Sequence, residues 1–401
     1  MFLTHFIKDY SNSAMIAGFI AVLVSYAGPL AIVFQAANTV NMSSELVTSW
    51  VWAISIGSAI SGILLSFYYR MPIITAWSTP GAALLVTSLS HYKYEDVIGA
   101  FIISGALIFV FGITGIFQNI MRRIPTSISS AMLAGILFHF GEDVFINLGI
   151  DPKLVFPLII IYLFGKRFYP RYAILFALCS GFVLIRSFGQ FNLNNFEFSL
   201  AKPILTMPNF SLPAMVGLAV PLFIVTMTSQ NVPGIAVLQA AGYKPNANPL
   251  IYISGFISML LAPFGAHGIN LAAITAAICT GPESHDSPDK RYVSGVLCGL
   301  FYFIIGLFGS AVASVFFILP KALIATIAGL ALFASLSNGL ALAMKKEKER
   351  EAALVTFLIT VSGFSLLGIG SAFWGLIGGI ATYLLMVYQY KSKSATLDVT
   401  D

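Results

Sequence analysis

The stretch Pro263-Phe264-Gly265-Ala266-His267-Gly268-Ile269-Asn270-Leu271 lies in a long apolar part of the chain, where an unbroken membrane-spanning helix would otherwise be expected. Such a helix needs roughly 20 apolar residues, with every backbone group hydrogen-bonded inside the segment. The proline and the two glycines oppose this, because they interrupt the backbone ladder. Irregular backbone at membrane depth is tolerated only where neighbouring helices or a watery cavity accept the freed amides. We therefore expect this segment to lie between other helices and to form a substrate site.

The composition places the whole chain in a membrane. Of its 401 residues, 58% are hydrophobic and 9% are charged, whereas about a quarter of the residues in a soluble domain are charged. The net charge of +5 does not indicate nucleic-acid binding, because the basic residues stand singly or in small groups between apolar runs. Cys179, Cys279 and Cys298 lack the spacing of metal ligands. We expect one membrane domain over residues 1–401, with no metal and no cofactor.

About fourteen apolar segments, each bounded by charged or turn residues, predict an all-α polytopic fold. Two sets of seven fall in residues 13–188 and 213–390, with a polar connector at 189–212 and a tail at 391–401. With the N-terminus placed in the cytoplasm, roughly sixteen of the 21 Lys and Arg residues lie on the cytoplasmic side. This asymmetry follows the positive-inside rule and predicts that both termini are cytoplasmic.

The two halves of the chain resemble each other. The run Pro29-Leu30-Ala31-Ile32-Val33-Phe34-Gln35-Ala36-Ala37 has the same Pro and Gln-Ala-Ala spacing as Pro233-Gly234-Ile235-Ala236-Val237-Leu238-Gln239-Ala240-Ala241. Because an odd number of segments separates the copies, the second enters the membrane from the opposite side. Residues 76–84 and 266–274 also correspond, since each joins a kinked, polar lead-in to a half-helix containing Ala-Ala. Interrupted segments at matching positions of an inverted repeat are typical of the substrate site of secondary transporters.

Segments three and ten are therefore predicted to form a central site. A half-helix that begins inside the membrane directs free amides and the positive end of its dipole into the cavity, and so can bind an anion. The interiors of segments one, three, eight and ten contain no Lys or Arg, so backbone groups would have to do this. The alternative is that Pro and Gly only kink packed helices. The predicted substrate-binding residues of the two segments are Trp77, Ser78, Thr79, Pro80, Gly81, Gly268, Ile269 and Asn270.

A polar run in segment eight, Thr228-Ser229-Gln230-Asn231, is costly in hydrocarbon unless it is hydrogen-bonded, and should face the protein interior. One interpretation is that it orients a polar group of the substrate. The other is that it joins helices or satisfies backbone freed by Pro233. Tyr26 occupies the repeat position that matches Gln230 and could stack on a flat substrate, although packing is the commoner role of such a ring.

His267 is the ionisable residue of the broken segments and a candidate for proton coupling, because histidine titrates near neutral pH. The alternative is a neutral histidine hydrogen-bonded within the kink. His139 lies near the end of the segment predicted at 126–141, and we expect it at the interface. Glu142 and Asp143 follow that segment, and we expect them at the edge of a solvated loop.

Three motifs, in order along the chain, resemble the bacterial benzoate/proton symporter family of the BenE type. They are Ala76-Trp77-Ser78-Thr79-Pro80-Gly81, Thr228-Ser229-Gln230-Asn231-Val232-Pro233-Gly234 and Asn270-Leu271-Ala272-Ala273-Ile274-Thr275-Ala276-Ala277-Ile278-Cys279. The resemblance implies the seven-plus-seven inverted-repeat fold shared with uracil and related anion transporters. It implies a core domain (segments one to four and eight to eleven) that moves against a gate domain (five to seven and twelve to fourteen), often in a homodimer. It also implies uptake of an aromatic carboxylate with a proton across the bacterial inner membrane.

Three other functions remain to be separated from this one. A nucleobase or other small organic anion carrier could have the same fold, and a passive anion channel could use the same site. An enzyme is disfavoured, because the sequence has no nucleophile elbow, phosphate-binding loop or zinc-protease helix.

Overall fold

The computed structural model describes residues 2–115, 125–189, 199–272, 274–282, 284–364, 366 and 371–397. The elements of the first half are α1 (Phe2–Asp9), α2 (Asn12–Ala27), α3 (Pro29–Thr39), α4 (Ser44–Tyr69), β1 (Thr75–Trp77), α5 (Thr79–Ser88), α6 (Tyr94–Thr114), α7 (Thr126–Ile150), α8 (Pro152–Phe168) and α9 (Ala173–Ser187). Residues 190–198 of the predicted connector lie outside the described residues, as do Arg122 and Arg123, which were counted on the cytoplasmic side.

The second half begins with α10 (Leu212–Gln239), a long helix with π-helical turns at Met215–Ala219 and Met227–Asn231. The remaining elements are α11 (Ala247–Leu261), β2 (Ile269–Leu271), α12 (Ile274–Thr280), α13 (Tyr292–Leu307), α14 (Gly309–Ile318), α15 (Lys321–Ala343), α16 (Arg350–Val361) and α17 (Ser371–Leu397).

The helices confirm a polytopic membrane fold. Eight of the described helical stretches are long and apolar enough to cross a membrane, and two shorter apolar helices lie at Ala173–Ser187 and Ser371–Met386. The broken segments are too short to count in this way, so the number fourteen stays a prediction.

Helix packing follows the inverted repeat. Helix α4 packs along α13, and its counterpart in the second half, α11, packs along α6, the counterpart of α13. Likewise α8 pairs with α9 as α16 pairs with α17, while α7 and α15 pair with each other. Replacing each helix by its counterpart from the other half therefore turns one observed helix pair into another observed helix pair. Helices α2–α6 and α10–α14 form one group and α7–α9 with α15–α17 another, and we call these the core and the gate.

Two short strands, which the sequence did not predict, join the broken segments at the centre of the core. Strands β1 and β2 pair antiparallel, with Ala76 opposite Asn270. Backbone bonds extend the ladder at both ends, from Ser78 N to Gly268 O and from Ala272 N to Ile74 O, each at 2.9 Å. The pairing satisfies amides and carbonyls that no helix could satisfy at this depth.

Helix α7 is longer than predicted. The expectation that Glu142 and Asp143 lie in a solvated loop is wrong, because the helix continues to Ile150. Asp151 follows it and caps α8, since its Oδ1 accepts a hydrogen bond from Leu154 N at 3.2 Å. The predicted segment ended where charged residues begin, but the helix continues through them, and Asn147 Nδ2 donates to Asp143 O at 2.8 Å one turn later.

Candidate functional site

The first broken segment enters the site as a strand and leaves it as a helix. After β1, the side chain of Ser78 caps α5 by accepting a hydrogen bond from Gly81 N at 3.1 Å. Ser78 Oγ also accepts one from Thr226 Oγ1 at 2.8 Å. These two bonds fix the turn between Trp77 and Thr79, so the start of α5 has a defined position against α10.

The second broken segment depends on glycine. Gly265 has φ +102° and Gly268 has φ +138°, a region that residues with a Cβ rarely adopt. Gly265 also has no room for a side chain, because a Cβ there would lie 1.9 Å from Trp50 Cδ1. Only seven residues of helix, Ile274–Thr280, follow β2. The chain therefore crosses the centre mostly as extended backbone.

The polar run of α10 holds this extended backbone in place. Asn231 is fully buried, and its Oδ1 accepts a hydrogen bond from Leu271 N at 2.9 Å. Its Nδ2 donates to Met227 Sδ at 3.1 Å. On the same edge of the strand, Ile269 N donates to Ser258 Oγ of α11 at 2.6 Å. Asn231 thus satisfies backbone of the broken segment, and not backbone freed by Pro233 in its own helix.

A cavity of about 150 Å³ lies between the core and the gate. Core elements supply one wall and the gate helices α8, α9 and α15 supply the other. The lining residues are Val24, Ser25, Pro29, Ala76, Trp77, Thr79, Tyr162, Lys166, Pro170, Ala173, Ile174, Gln230, Ala272, Thr275, Ala331, Leu332 and Ala334.

Three of the predicted binding residues, Trp77, Thr79 and Gln230, line this cavity. The other predicted residues do not line it. They lie on α2, at the start of α5, in the π-helical turn of α10, or in and just before β2. These are Tyr26, Ser78, Pro80, Gly81, Thr228, Ser229, Asn231, His267, Gly268, Ile269 and Asn270.

Tyr26 supports the cavity wall from behind. Its ring meets the indole of Trp77 edge to face, with centroids 5.4 Å apart, and its hydroxyl is hydrogen-bonded to Ser55 Oγ of α4. Tyr302 of α13 packs on the same indole at 6.0 Å. Tyr26 and Tyr302 therefore fix the position of the Trp77 ring, and Trp77 also lines the cavity.

Two buried polar atoms at the cavity have no hydrogen-bond partner among the described residues. They are Nε1 of Trp77 and Oγ1 of Thr275, on residues that are 2% and 5% exposed. A buried donor left without a partner costs about 1–3 kcal/mol. One of these residues comes from each copy of the repeat, and both residues line the cavity.

The gate contributes a positive charge. Lys166, in the last turn of α8, is exposed to solvent and lines the cavity one turn after Tyr162. Lys166, Tyr162, Ile174 and Leu332 were not among the predicted site residues, because nothing in an apolar helix shows which face meets the core. Thr275 did carry a signal, since it is a polar residue just after the second break.

His267 lies away from the cavity. Its ring is 1% exposed and packs between Trp50 and Phe101, with centroid distances of 6.0 and 6.1 Å. Its ring nitrogens have no hydrogen-bond partner among the described residues. Its role in proton coupling stays a prediction. Within the described part of the chain, no group of three or more His, Cys, Asp or Glu side chains is placed to hold a metal ion.

Comparison with known proteins identifies the family. The family model described as benzoate membrane transport protein, BenE, matches residues 8–385. The chain belongs to this family. The Benzoate membrane transport protein of Acinetobacter baylyi is 42% identical over 380 residues, which are 95% of this chain and 96% of that one. Inner membrane protein YdcO of Escherichia coli is 43% identical over 372 residues, 93% and 95% of the two chains.

Solved structures show the same fold at low sequence identity. The transmembrane domain of the cyanobacterial bicarbonate transporter BicA has a TM-score of 0.58 at 14% identity, covering 92% of this chain and 97% of that one. A structure of SLC26A9 has a TM-score of 0.59 at 14% identity, covering 95% of this chain and 66% of that one. The chain is thus a membrane transport protein with this inverted-repeat fold, and not an enzyme.

Proposed function

We propose that this transporter imports an aromatic carboxylate such as benzoate together with a proton, by alternating access of the core against the gate. The cavity between core and gate is the observation that carries the proposal. Its volume of about 150 Å³ equals that of an engineered protein cavity that binds benzene. Its walls combine Trp77, Ile174 and Leu332 with a few polar groups, as expected for an amphipathic ring compound.

The polar groups suit a carboxylate. Trp77 Nε1 and Thr275 Oγ1 are unused donors, and the first turn of α5 begins at Thr79 in the same wall. The ten-residue helix α5 adds the positive end of its dipole. Lys166 at the edge of the cavity attracts an anion without being buried with it. The ring and the carboxylate of the substrate therefore have separate positions in the cavity. The name of the relative from Acinetobacter baylyi, a benzoate membrane transport protein, also supports this substrate.

The proposal includes the setting of the protein. The positive-inside pattern puts both termini and the Lys166 end of α8 in the cytoplasm, with the chain in the bacterial inner membrane as a monomer or a homodimer. The name of the Escherichia coli relative supports the inner membrane. The cavity, which Lys166 borders, then faces the cytoplasm.

Uptake of radiolabelled benzoate into proteoliposomes tests the proposal. We expect accumulation above equilibrium when an inward proton gradient is imposed, and only equilibration without one. Protein-free liposomes with the same gradient are the control, because benzoic acid itself crosses lipid. Equilibration under both conditions would indicate a channel, and no protein-dependent movement of benzoate would reject the substrate.

Thermal shift separates benzoate from a nucleobase. No Asp or Glu is among the lining residues, although such acids would pair with the N–H groups of a polar heterocycle. We expect benzoate, and not uracil, to raise the melting temperature of the purified protein. The reverse result would favour a nucleobase carrier of the same fold.

A further inference from the structure

Helix α7 carries ionisable side chains near its middle. In the eight described helices that are long and apolar enough to span a membrane, Asp, Glu, Lys, Arg and His otherwise occur only within the first turn. Helix α7 has His139, Glu142 and Asp143, well inside its span from Thr126 to Ile150. Ionisable groups at membrane depth are costly and mark ion or proton pathways.

Asp143 joins the gate to the core. The side-chain amide of Gln35, on core helix α3, donates from Nε2 to Asp143 Oδ2 at 3.2 Å. The other amide atom, Gln35 Oε1, is buried and has no hydrogen-bond partner among the described residues. An ionised carboxylate only accepts hydrogen bonds, whereas a protonated one also donates through its O–H. The amide can therefore use both polar atoms against Asp143 only when Asp143 is protonated.

The ionisable neighbours of Asp143 lie on its own helix. His139 Nδ1 and Glu142 Oε2 are 3.0 Å apart, and their side chains are 46% and 48% exposed. Asp143 is less exposed than Glu142, and α3 presents it with the neutral Gln35. Of the three, Asp143 is the one with a hydrogen bond to the core among the described residues, so its charge bears most directly on the contact between core and gate.

Few ionisable residues come from the helices packed on α7. Helices α5 and α10 have none, α16 has Arg350 and Glu351 beside the start of α7, and those of α17 begin at Tyr383. On the side of Asp143, Lys153 and Lys321 begin α8 and α15, and the phenol of Tyr162 lies farther along α8. The neighbour of Asp143 that can carry a positive charge on α7 itself is His139, four residues earlier, so protonation of Asp143 would change the charge beside it.

The contact lies beyond the cavity on the side opposite Lys166. Gln35 follows the cavity-lining Pro29 by six residues, about 9 Å along a helix. Lys166 ends α8, and the start of α8 directly follows the end of α7 that bears Asp143. The structure thus has its cavity bordered by Lys166 on one side and a hydrogen bond between core and gate on the other.

We propose that Asp143 carries the coupled proton and that its contact with Gln35 closes the outer side of the transporter. This inference rests on the proposed function and names its coupling residue. A proton from the outer solution adds to the Asp143 carboxylate when that side is open. The O–H then completes the pair with the Gln35 amide, which favours the closed outer side and leaves the cavity open toward Lys166.

The cycle balances charge. The substrate carboxylate contributes one negative charge and the proton on Asp143 one positive charge, so the loaded transporter moves no net charge. After the substrate leaves, water in the emptied cavity, which reaches Pro29 on the same helix as Gln35, takes the proton from Asp143 to the cytoplasm. The ionised Asp143 keeps only the bond from Gln35 Nε2, so the outer contact is weaker. The core without substrate then returns to the state that is open to the outside. A ligand shifts a conformational equilibrium only by binding the two states differently, and the second hydrogen bond supplies that difference.

Two assays on the same proteoliposomes test this assignment. The first is gradient-driven uptake of labelled benzoate, and the second is exchange of labelled for unlabelled benzoate at equal pH on both sides. For Asp143→Asn we expect a loss of gradient-driven accumulation of roughly tenfold or more, with exchange retained. Asp143→Glu keeps an acid at this position and should retain gradient-driven accumulation. Glu142→Gln, on the adjacent exposed acid, is the matched control and should behave as the wild type.

Each outcome has a defined meaning. Wild-type accumulation in Asp143→Asn overturns the assignment, and so does equal loss in Glu142→Gln. Loss of both exchange and accumulation in Asp143→Asn, at unchanged benzoate binding in a thermal-shift assay, also overturns it, because the residue would then be needed for movement itself. If the wild type shows no exchange of benzoate, the proposed function fails instead. If Asp143→Asn does not fold, Gln35→Leu in the same assays replaces it, and unchanged coupling there rejects the role of the contact.

Discussion

The two broken segments share a backbone plan and differ in what they place at the cavity. In the first copy, Trp77 and Thr79 border the cavity, and Ser78 caps the ten-residue helix α5. In the second, Gly265 and Gly268 take positive φ values, and the helix that follows has seven residues. The first copy places fixed side chains at the cavity. The second copy depends on glycine backbone conformations, because there is no room for larger residues near Trp50.

This difference suits an unsymmetrical ligand. A strict two-fold repeat would offer the same groups twice, but a ring with one carboxylate needs an aromatic wall and a polar end. Trp77 of the first copy supplies a wall with one donor, and Thr275 of the second supplies a small hydroxyl. Substitutions in each copy test whether the first copy acts through side chains and the second through its backbone.

The largest effect is expected from Gly265→Ala in the second copy. The added Cβ would lie 1.9 Å from Trp50 Cδ1, at a φ of +102° that alanine rarely adopts. Backbone strain and overpacking together should lower stability by about 3 kcal/mol or more. The measurement is the melting temperature of the purified protein in detergent.

Gly363→Ala is the matched control for that change. Gly363 also has a positive φ, of +66°, but no atom of the described residues lies within 4 Å of its Cβ position. It should show the cost of strain alone, about 1–3 kcal/mol. Equal destabilisation by the two variants would mean that the close approach to Trp50 is unimportant, and the second copy would lose its special dependence on glycine.

A smaller effect, on binding and not on folding, is expected from Trp77→Phe in the first copy. The change keeps an aromatic wall and removes Nε1–H, which has no partner in the described structure. Loss of one hydrogen bond to the carboxylate should weaken benzoate binding about tenfold, or ~1.4 kcal/mol. Stability should not fall by more than the small packing change, because no bond within the protein is lost.

Trp50→Phe is the control for the indole. Trp50 is equally buried, but its Nε1 donates to Tyr94 Oη at 2.6 Å, away from the cavity lining. Here we expect the melting temperature to fall and benzoate affinity to stay the same. Titration calorimetry with benzoate measures the affinities, and an unchanged affinity in Trp77→Phe would remove the indole donor from the proposed site.

Much of the architecture followed from the sequence because its signals are local. Composition and apolar run length predicted the membrane fold, and Pro80, Gly265 and Gly268 marked the two breaks before any contact was known. The spacing around Pro29 and Pro233 predicted the repeat, which the helix packing and the structural relatives confirm. Such features depend on neighbours in the chain, so one sequence is enough to find them.

The cavity walls could not be found in this way. Strands β1 and β2 have three residues each, and each forms only because it pairs with the other. This pairing joins distant parts of the chain, so local sequence patterns do not show it. Tyr162 and Lys166 face the core from a helix that is apolar on all sides, so hydrophobic periodicity gave no direction for them. Asp143 was misplaced because charged residues resemble a segment end, although packing against α15 keeps the helix intact there.

The smallest effect is expected from Thr275→Val in the second copy. Valine keeps the shape and removes Oγ1, which is buried without a partner among the described residues. We expect benzoate binding to weaken roughly threefold, or ~0.7 kcal/mol. The loss is smaller than for the indole because binding must also fix the rotation of the hydroxyl, whereas the Trp77 N–H is already held by its packed ring.

Thr326→Val on gate helix α15 controls for removal of a buried hydroxyl. Its Oγ1 is also buried without a described partner, but Thr326 does not line the cavity. Both variants should gain similar stability from losing an unsatisfied polar atom, and only Thr275→Val should lose affinity in the same titration. Equal benzoate affinities in the two variants would remove the Thr275 hydroxyl from the proposed site.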